Sequence, residues 1–184
     1  MTIFSIVFYA IIGIVGFIIF FGEIYFKALN FLGIDLVELN KRADQPERAE
    51  ELIVSKIRER IGLSLWKISR LFREFANLYS DLQESKRDRE YYGKFLNPAF
   101  KFERIGREVL EGKKVKFHYE VESIITGNLR PEGYKYIGEL ENAVRELRRL
   151  AWVNKFLFFF FNSGLDIYVN IKFIVRNEKT SRKC

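Results

Sequence analysis

The chain opens on an unbroken apolar run. Met1 to Gly22, MTIFSIVFYAIIGIVGFIIFFG, carries no charged side chain. About 20 apolar residues, at about 1.5 Å each in a helix, span the roughly 30 Å hydrocarbon layer of a bilayer. A helix is the form expected, because hydrocarbon offers the peptide groups no other partner. No Lys or Arg precedes the run, and Phe20-Phe21-Gly22-Glu23-Ile24-Tyr25 offers no small-x-small cleavage site. A cleaved secretory signal would have both. The reading is an uncleaved single transmembrane helix over residues 1–22.

Residues 23–45 form an extension and linker: Glu23 to Leu39 continues at helical spacing, with Ile24, Phe26, Leu29, Phe31, Leu32 and Leu36 apolar, and Asn40 to Gln45 is a polar break. Tyr25, Phe26 and Phe31 beside Lys27 suit the headgroup zone. This segment is expected to extend the anchor along the interface, bending near Gly33. Asp44-Gln45-Pro46-Glu47 then has the form of a helix start, with Asp44 as N-cap, Pro46 in the first turn and Glu47 closing a capping box.

From Pro46 to about residue 96 the pattern is a long helical stalk. Apolar residues fall at Ile53, Ile57, Ile61, Leu65, Ile68, Phe72, Phe75, Tyr79 and Leu82. From Ile61 onward the steps alternate four and three, the heptad seam of helix pairing. Ile61, Leu65, Ile68, Phe72, Phe75, Tyr79 and Leu82 are therefore the candidate seam, for a partner helix or for the chain's own domain. Unbroken from Glu47 to about Arg89, such a helix would reach about 65 Å. Gly93 and Asn97-Pro98 read as a turn and place a domain boundary before residue 97.

Residues 97–184 read as a small α+β domain in the order helix, strand, optional short strand, helix, strand. Phe102, Ile105, Val109 and Leu110 mark the first helix, ending at Gly112. In the strand Lys113 to Ile125, Val115, Phe117, Tyr119 and Val121 share one face and Lys114, Lys116, His118 and Glu120 the other. A short strand is placed at Asn128 to Arg130, and a loop at Pro131 to Gly133. Leu140, Val144, Leu147 and Ala151 mark a helix from Ile137 to about Phe158, and Leu157 to Phe161 is expected to plug the sheet. Leu165 to Val175 is the last strand. It is the candidate sheet edge for adding a partner strand, through Asp166, Tyr168, Asn170 and Lys172.

Composition sharpens the picture in two places. Lys and Arg outnumber Asp and Glu by 31 to 24, a net charge of +7. Such an excess suits an anionic lipid surface, nucleic acid or an acidic partner, but here both signs are interspersed, as on an ordinary solvated surface. The one cysteine, Cys184, excludes an intrachain disulfide.

The last part resembles the C-terminal domain of the TonB/TolA group, envelope proteins that link an inner-membrane anchor to partners across the periplasm. The similarity covers roughly residues 99–178. It rests on Glu111-Gly112-Lys113-Lys114-Val115-Lys116-Phe117, on Glu141-Asn142-Ala143-Val144-Arg145-Glu146-Leu147 and on Tyr168-Val169-Asn170-Ile171-Lys172-Phe173. It implies a single-pass protein of the inner (cytoplasmic) membrane with its domain in the periplasm. The chain departs from that pattern in its anchor, which lacks the family's proton-coupling histidine, the only His being His118, and in having no proline-rich linker. Lys27, Lys41 and Arg42 after the span favour a cytoplasmic domain instead, so the sequence leaves the side open.

No nucleophile–base pair, phosphate loop, dinucleotide turn or metal-ligand spacing stands out. His118 has no second His or Cys to form a metal set, and Glu120 with Glu122 suits a salt-bridged surface. Aromatics beside basic residues on a sheet can mark RNA binding. Phe117, Tyr119, Tyr168 and Phe173, however, are all assigned to the core face. The expectation is a non-enzymatic protein without cofactor or metal, whose partners are membrane lipid and protein, self-association included, and not nucleic acid. The alternative is an accessory or scaffold subunit of a membrane complex, with a cytoplasmic basic domain and the Ile61–Leu82 seam holding its partner.

Overall fold

A computed structural model describes residues 3–41, 45–80, 86–126, 131–158 and 161–176. The described chain is mostly helical, with one two-stranded parallel sheet. It divides into two compact units, residues 1–56 and 57–184.

In the first unit, α1 runs from Ile3 to Leu32. It is long and apolar enough to cross a membrane. The large apolar side chains from Ile11 to Phe20 are 49–65% exposed, so they form no core of this chain. Glu23 and Lys27 follow as an i, i+4 ion pair at 2.7 Å. The helix ends at Gly33 (φ +72°), whose N–H donates to Asn30 O while Ile34 N–H donates to Leu29 O. That is the Schellman stop, which needs a left-handed residue at this position, and Leu29 and Ile34 are both buried, as the motif favours. Asp35 then caps α2 (Leu36–Lys41), its carboxylate accepting from Val37 N–H at 2.9 Å. Asp44, expected to cap the next helix, lies outside the described residues. That helix, α3 (Pro46–Ser80), starts with Pro46 in its first turn and with the Gln45 carbonyl accepting from Arg48 and Ala49.

The second unit holds the rest of α3, then α4 (Lys86–Leu110), β1 (Val115–Thr126), α5 (Pro131–Leu157) and β2 (Leu165–Arg176). α4 corrects the sequence reading. The expected turn at Gly93 and Asn97-Pro98, and with it the boundary at residue 97, is replaced by a helix that continues through Pro98. An interior proline costs a helix roughly 3 kcal/mol. Phe95, Ala99 and Phe102, on either side of it, are wholly buried, and that burial offsets the cost. α4 stops by the same device as α1: Gly112 (φ +80°) donates to Val109 O, and Lys113 N–H to Glu108 O.

β1 and β2 pair in parallel with Val115 opposite Leu165 and Thr126 opposite Arg176. Parallel strands need a long crossover, and α5 supplies it, its buried side holding Ile137, Leu140, Val144, Leu147 and Ala151. α5 begins at Pro131, six residues before the expected start, because proline is tolerated in a first helical turn. The strand expected at Asn128 to Arg130 lies outside the described residues. Of the apolar tract after α5, Leu157 is buried but Phe158 is 56% exposed, so the tract is not a continuous plug.

The odd-numbered residues of both strands face the core. There a run of rings joins four elements: Phe72 and Phe75 of α3, Phe95 and Phe102 of α4, Phe117 and Tyr119 of β1, and Phe173 of β2. Phe75 meets Phe95 edge-on at 4.4 Å, and Phe102 meets Tyr119 at 5.0 Å and Phe117 at 5.3 Å. Such offset and edge-to-face pairs add to the burial itself. Here the seam residues find their partner. Ile61, Leu65, Ile68, Phe72 and Phe75 are all buried, at no more than 3% exposure, within this chain. Described residues 57–80 of the expected stalk thus belong to the α+β unit, and the described seam is not a docking surface. Tyr79 lies in α3 with its side chain undescribed, and Leu82 lies outside the described residues. Heptad spacing specifies that a helix has an apolar partner; it does not specify whose.

α3 and α4 cross closely through two glycines. A Cβ on Gly62 would stand 2.6 Å from Leu110 Cγ and 3.3 Å from Gly106 O, and one on Gly106 would stand 3.2 Å from Gly62 O. Gly106→Val should therefore cost about 1–3 kcal/mol of stability by overpacking. Gly93→Ala, a helical glycine with open space around it, should raise stability by about 0.5–1 kcal/mol. Urea unfolding of the two variants of the full chain in detergent should move the midpoint in opposite directions.

Candidate interaction surface

The alternation that buries the odd residues places an array of polar side chains on the other face. Register sets Lys116 beside Asp166, His118 beside Tyr168, Glu120 beside Asn170 and Glu122 beside Lys172. These pairs exchange cross-strand and diagonal contacts. His118 Nε2 lies 3.1 Å from Asp166 Oδ2, Asn170 Nδ2 donates to Glu120 Oε1 at 2.8 Å, and Lys172 Nζ stands 3.7 Å from Glu122 Oε2. The hydrogen bond from His118 holds the Asp166 carboxyl below its ordinary value. Tyr168, expected on the core face, lies on this one instead, because it is an even-numbered residue of a strand whose odd residues face the core; its ring is 41% exposed and stands edge-on to the imidazole at 6.1 Å. This is a solvated, internally paired surface, and the sequence reading of His118, Glu120 and Glu122 matches it in kind. Among the described residues no group of three or more His, Cys, Asp or Glu side chains is placed to hold a metal ion.

Backbone direction separates the two strands' outer edges. Val115 N–H donates to Gly164 O at 3.0 Å, which sets the phase of the ladder. In a parallel ladder successive residues point their N–H and C=O groups to alternate sides. The odd residues of β1 and the even residues of β2 therefore face each other. Asp166, Tyr168, Asn170 and Lys172, the candidate edge, spend their backbone groups on β1. The outward groups of β2 belong to the odd residues, and α5 occupies part of that row: Asn154 Nδ2 donates to Leu165 O at 2.9 Å, and Arg148 Nε to Val169 O at 3.0 Å. Arg148 also donates through Nη2 to the Asn170 side chain. The expected edge is thus partly sealed by side chains of the crossover helix. Alternation identifies a strand's faces but says nothing about which edge its crossover covers.

The open edge is the other one. The N–H and C=O groups of Lys116, His118, Glu120, Glu122 and Ile124 point away from β2, and among the described residues none has a hydrogen-bond partner. Their side chains are exposed, while Phe117, Tyr119 and Val121 on the core side stay half-buried at the rim. Burial raises the Tyr119 phenol above its ordinary value. A cavity of about 200 Å³ lies beneath this rim, lined by Tyr119, Val121, Phe95, Pro98, Ile171 and Phe173 among others.

Two residues that the sequence reading treated as ordinary hold the strand ends in place. Arg58 reaches from α3 to the carbonyls of Val109 (3.1 Å), Lys113 (2.9 Å) and Ser163. It ties the end of α4 to the turns that open both strands. Burial lowers its pKa from the ordinary guanidinium value, yet the group stays charged at neutral pH. Asn154, 2% exposed on α5, takes the Ser163 hydroxyl on its amide oxygen while its nitrogen bonds Leu165 O. A buried polar residue on an apolar helix face is the only signal that could have singled it out.

Compared with protein-family models, with curated proteins and with solved structures, the chain matches none.

Proposed function

We propose that this chain is a non-enzymatic, single-pass membrane protein that holds a small α+β interaction unit at the membrane surface and recognises protein by strand addition at the β1 edge. The observation that carries this reading is the uncharged helical run before Glu23, whose side chains from Ile11 to Phe20 stand exposed while the rest of the chain is amphipathic. Such a surface is unfavourable in water and favourable in hydrocarbon, by about 25 cal/mol for each Å² of apolar area. The open β1 edge supports the recognition half, because unpaired strand edges are templates for another strand. The TonB/TolA resemblance supports an inner-membrane anchor with the unit in the periplasm. The role is tethering rather than proton coupling, since Met1 to Gly22 holds no Asp, Glu, Lys, Arg or His to carry a proton.

The full chain should stay with membranes through alkaline carbonate extraction. Ile14→Arg with Ile18→Arg, each costing about 2.5–3.5 kcal/mol at the centre of a span, should release it to the supernatant. Extraction of the unaltered chain by carbonate would refute the anchor. Labelling of Cys184 by an impermeant maleimide in intact cells is the outcome expected for a periplasmic unit; labelling only after lysis would place that unit in the cytoplasm.

A further inference from the structure

The outer edge of β1 carries the side chains Lys116, His118, Glu120 and Glu122 in that order along its exposed face. Read in reverse, the series is acid, acid, imidazole, amine. An antiparallel copy of the same strand laid along the edge, with Tyr119 opposite Tyr119, sets Lys116 against Glu122 and His118 against Glu120. Both pairs occur twice. We propose that the occupant of the β1 edge is the β1 edge of a second copy of this chain, paired antiparallel about Tyr119 to make one four-stranded sheet. The inference rests on the edge recognition proposed above and names its partner.

Three observations carry the proposal beyond charge matching. The first is parity. The outward N–H and C=O groups of β1 belong to its even residues, and in this register even residues face even residues, as the hydrogen-bonded pairs of an antiparallel ladder require. Tyr119, whose backbone groups face β2, falls on the two-fold axis as a non-hydrogen-bonded pair, which such a ladder accepts. The second is continuity with the pairs inside each copy. The row Asp166, Lys116, then Glu122 and Lys172 of the second copy alternates in sign across all four strands. In the next row Glu120 receives Asn170 on Oε1, and its other oxygen is left to face the imidazole of the second copy. The third lies on the core face, where the half-buried rims of Phe117 and Val121 come opposite each other across the new junction. Sliding the strands so that His118 faces His118 stacks like groups on the axis and sets Glu122 against Lys114, outside β1. An isologous two-fold contact of this kind closes on itself and so does not propagate into fibres.

The register makes a specific cross-linking test. In a Cys184→Ser background, Lys116→Cys and Glu122→Cys are made in separate full-length chains and mixed in detergent under mild oxidation. Hydrogen-bonded antiparallel pairs place their Cα atoms about 5.5 Å apart, within the range a disulfide spans. The expected result is cross-linked dimer from the mixture and none from either variant alone, because residue 116 of one copy lies about 20 Å from residue 116 of the other, at about 3.4 Å per residue. Adding Glu120→Pro to both chains should abolish the cross-link while leaving the circular dichroism unchanged, since that N–H points away from β2 and takes no part in the internal ladder. No cross-link from the mixture, equal cross-linking of each variant alone, or preferential cross-linking of Lys116→Cys with Glu120→Cys overturns the proposal. Carbonate extraction of these chains reports on the anchor alone, so failure of the pairing and failure of the tether are told apart.

Discussion

Phe75→Asp is expected to unfold residues 57–184, not to dissociate a complex that leaves a folded chain behind. Phe75 is 1% exposed, edge-on to Phe95 at 4.4 Å and 6.4 Å from Phe173, so it touches both α4 and β2. Removing the ring alone, as in Phe75→Ala, should cost about 3–5 kcal/mol through lost burial and the cavity left behind. Aspartate adds the desolvation of a carboxylate within the ring cluster, several kcal/mol more. The sum is comparable to the whole stability of a typical domain, about 5–15 kcal/mol. Near-ultraviolet circular dichroism of the full chain in detergent should lose its aromatic signal. A seam for an outside helix would behave otherwise: the aromatic signal would persist and only association would fall.

Arg58→Ala is expected to lower stability by about 2–3 kcal/mol, although Arg58 sits among exposed charges in the sequence. Its guanidinium donates to three backbone carbonyls, one at the end of α4 and one in each of the turns before β1 and β2. Hydrogen bonds to a charged group contribute about 1.5–3 kcal/mol each and do not add fully. Once the arginine is gone, the part-buried carbonyls of Val109 and Ser163 lose this donor. Arg58→Lys should rescue little, because a single ammonium cannot serve both turns in the fork geometry of a guanidinium. Arg104→Ala is the contrast: that side chain is 73% exposed and meets Glu108 only at 3.9 Å, so it should change stability by less than about 0.5 kcal/mol. The check is the urea midpoint of each full-length variant at unchanged slope.

Much of the local structure was legible before any coordinates. In the sequence Gly112 reads as a helix end and Gly33 only as a bend, yet both stop their helices, because a left-handed residue is needed to satisfy the last carbonyls and glycine takes that conformation at little cost. β1 and β2 followed from period-two alternation, and the apolar residues of α3 from period 3.6. The polar face with His118, Glu120, Asp166 and Lys172 was legible for the same reason. Pro98 misled because a local rule was applied where tertiary burial prevails: the proline's cost is fixed, whereas the gain from Phe95 and Phe102 depends on rings from β1, β2 and α3 that no window around residue 98 contains. Arg58 was not legible at all. Its partners lie 51, 55 and 105 residues away, and nothing in the neighbouring sequence distinguishes it from Arg60.

The chain by itself determined where the two strands and most of the helical residues lie, that α4 stops at Gly112, which face of each strand is apolar, and that Met1 to Gly22 is uncharged. These are properties of residues within a turn or two of each other, governed by sterics and periodicity. Only the tertiary structure decided that the described seam of α3 is filled by α4 and the sheet, that side chains of α5 take part of the outer edge of β2, and that no described residue bonds the outer edge of β1. Those outcomes depend on which distant surfaces meet, and they are selected by the total area buried and the polar groups satisfied across the whole unit.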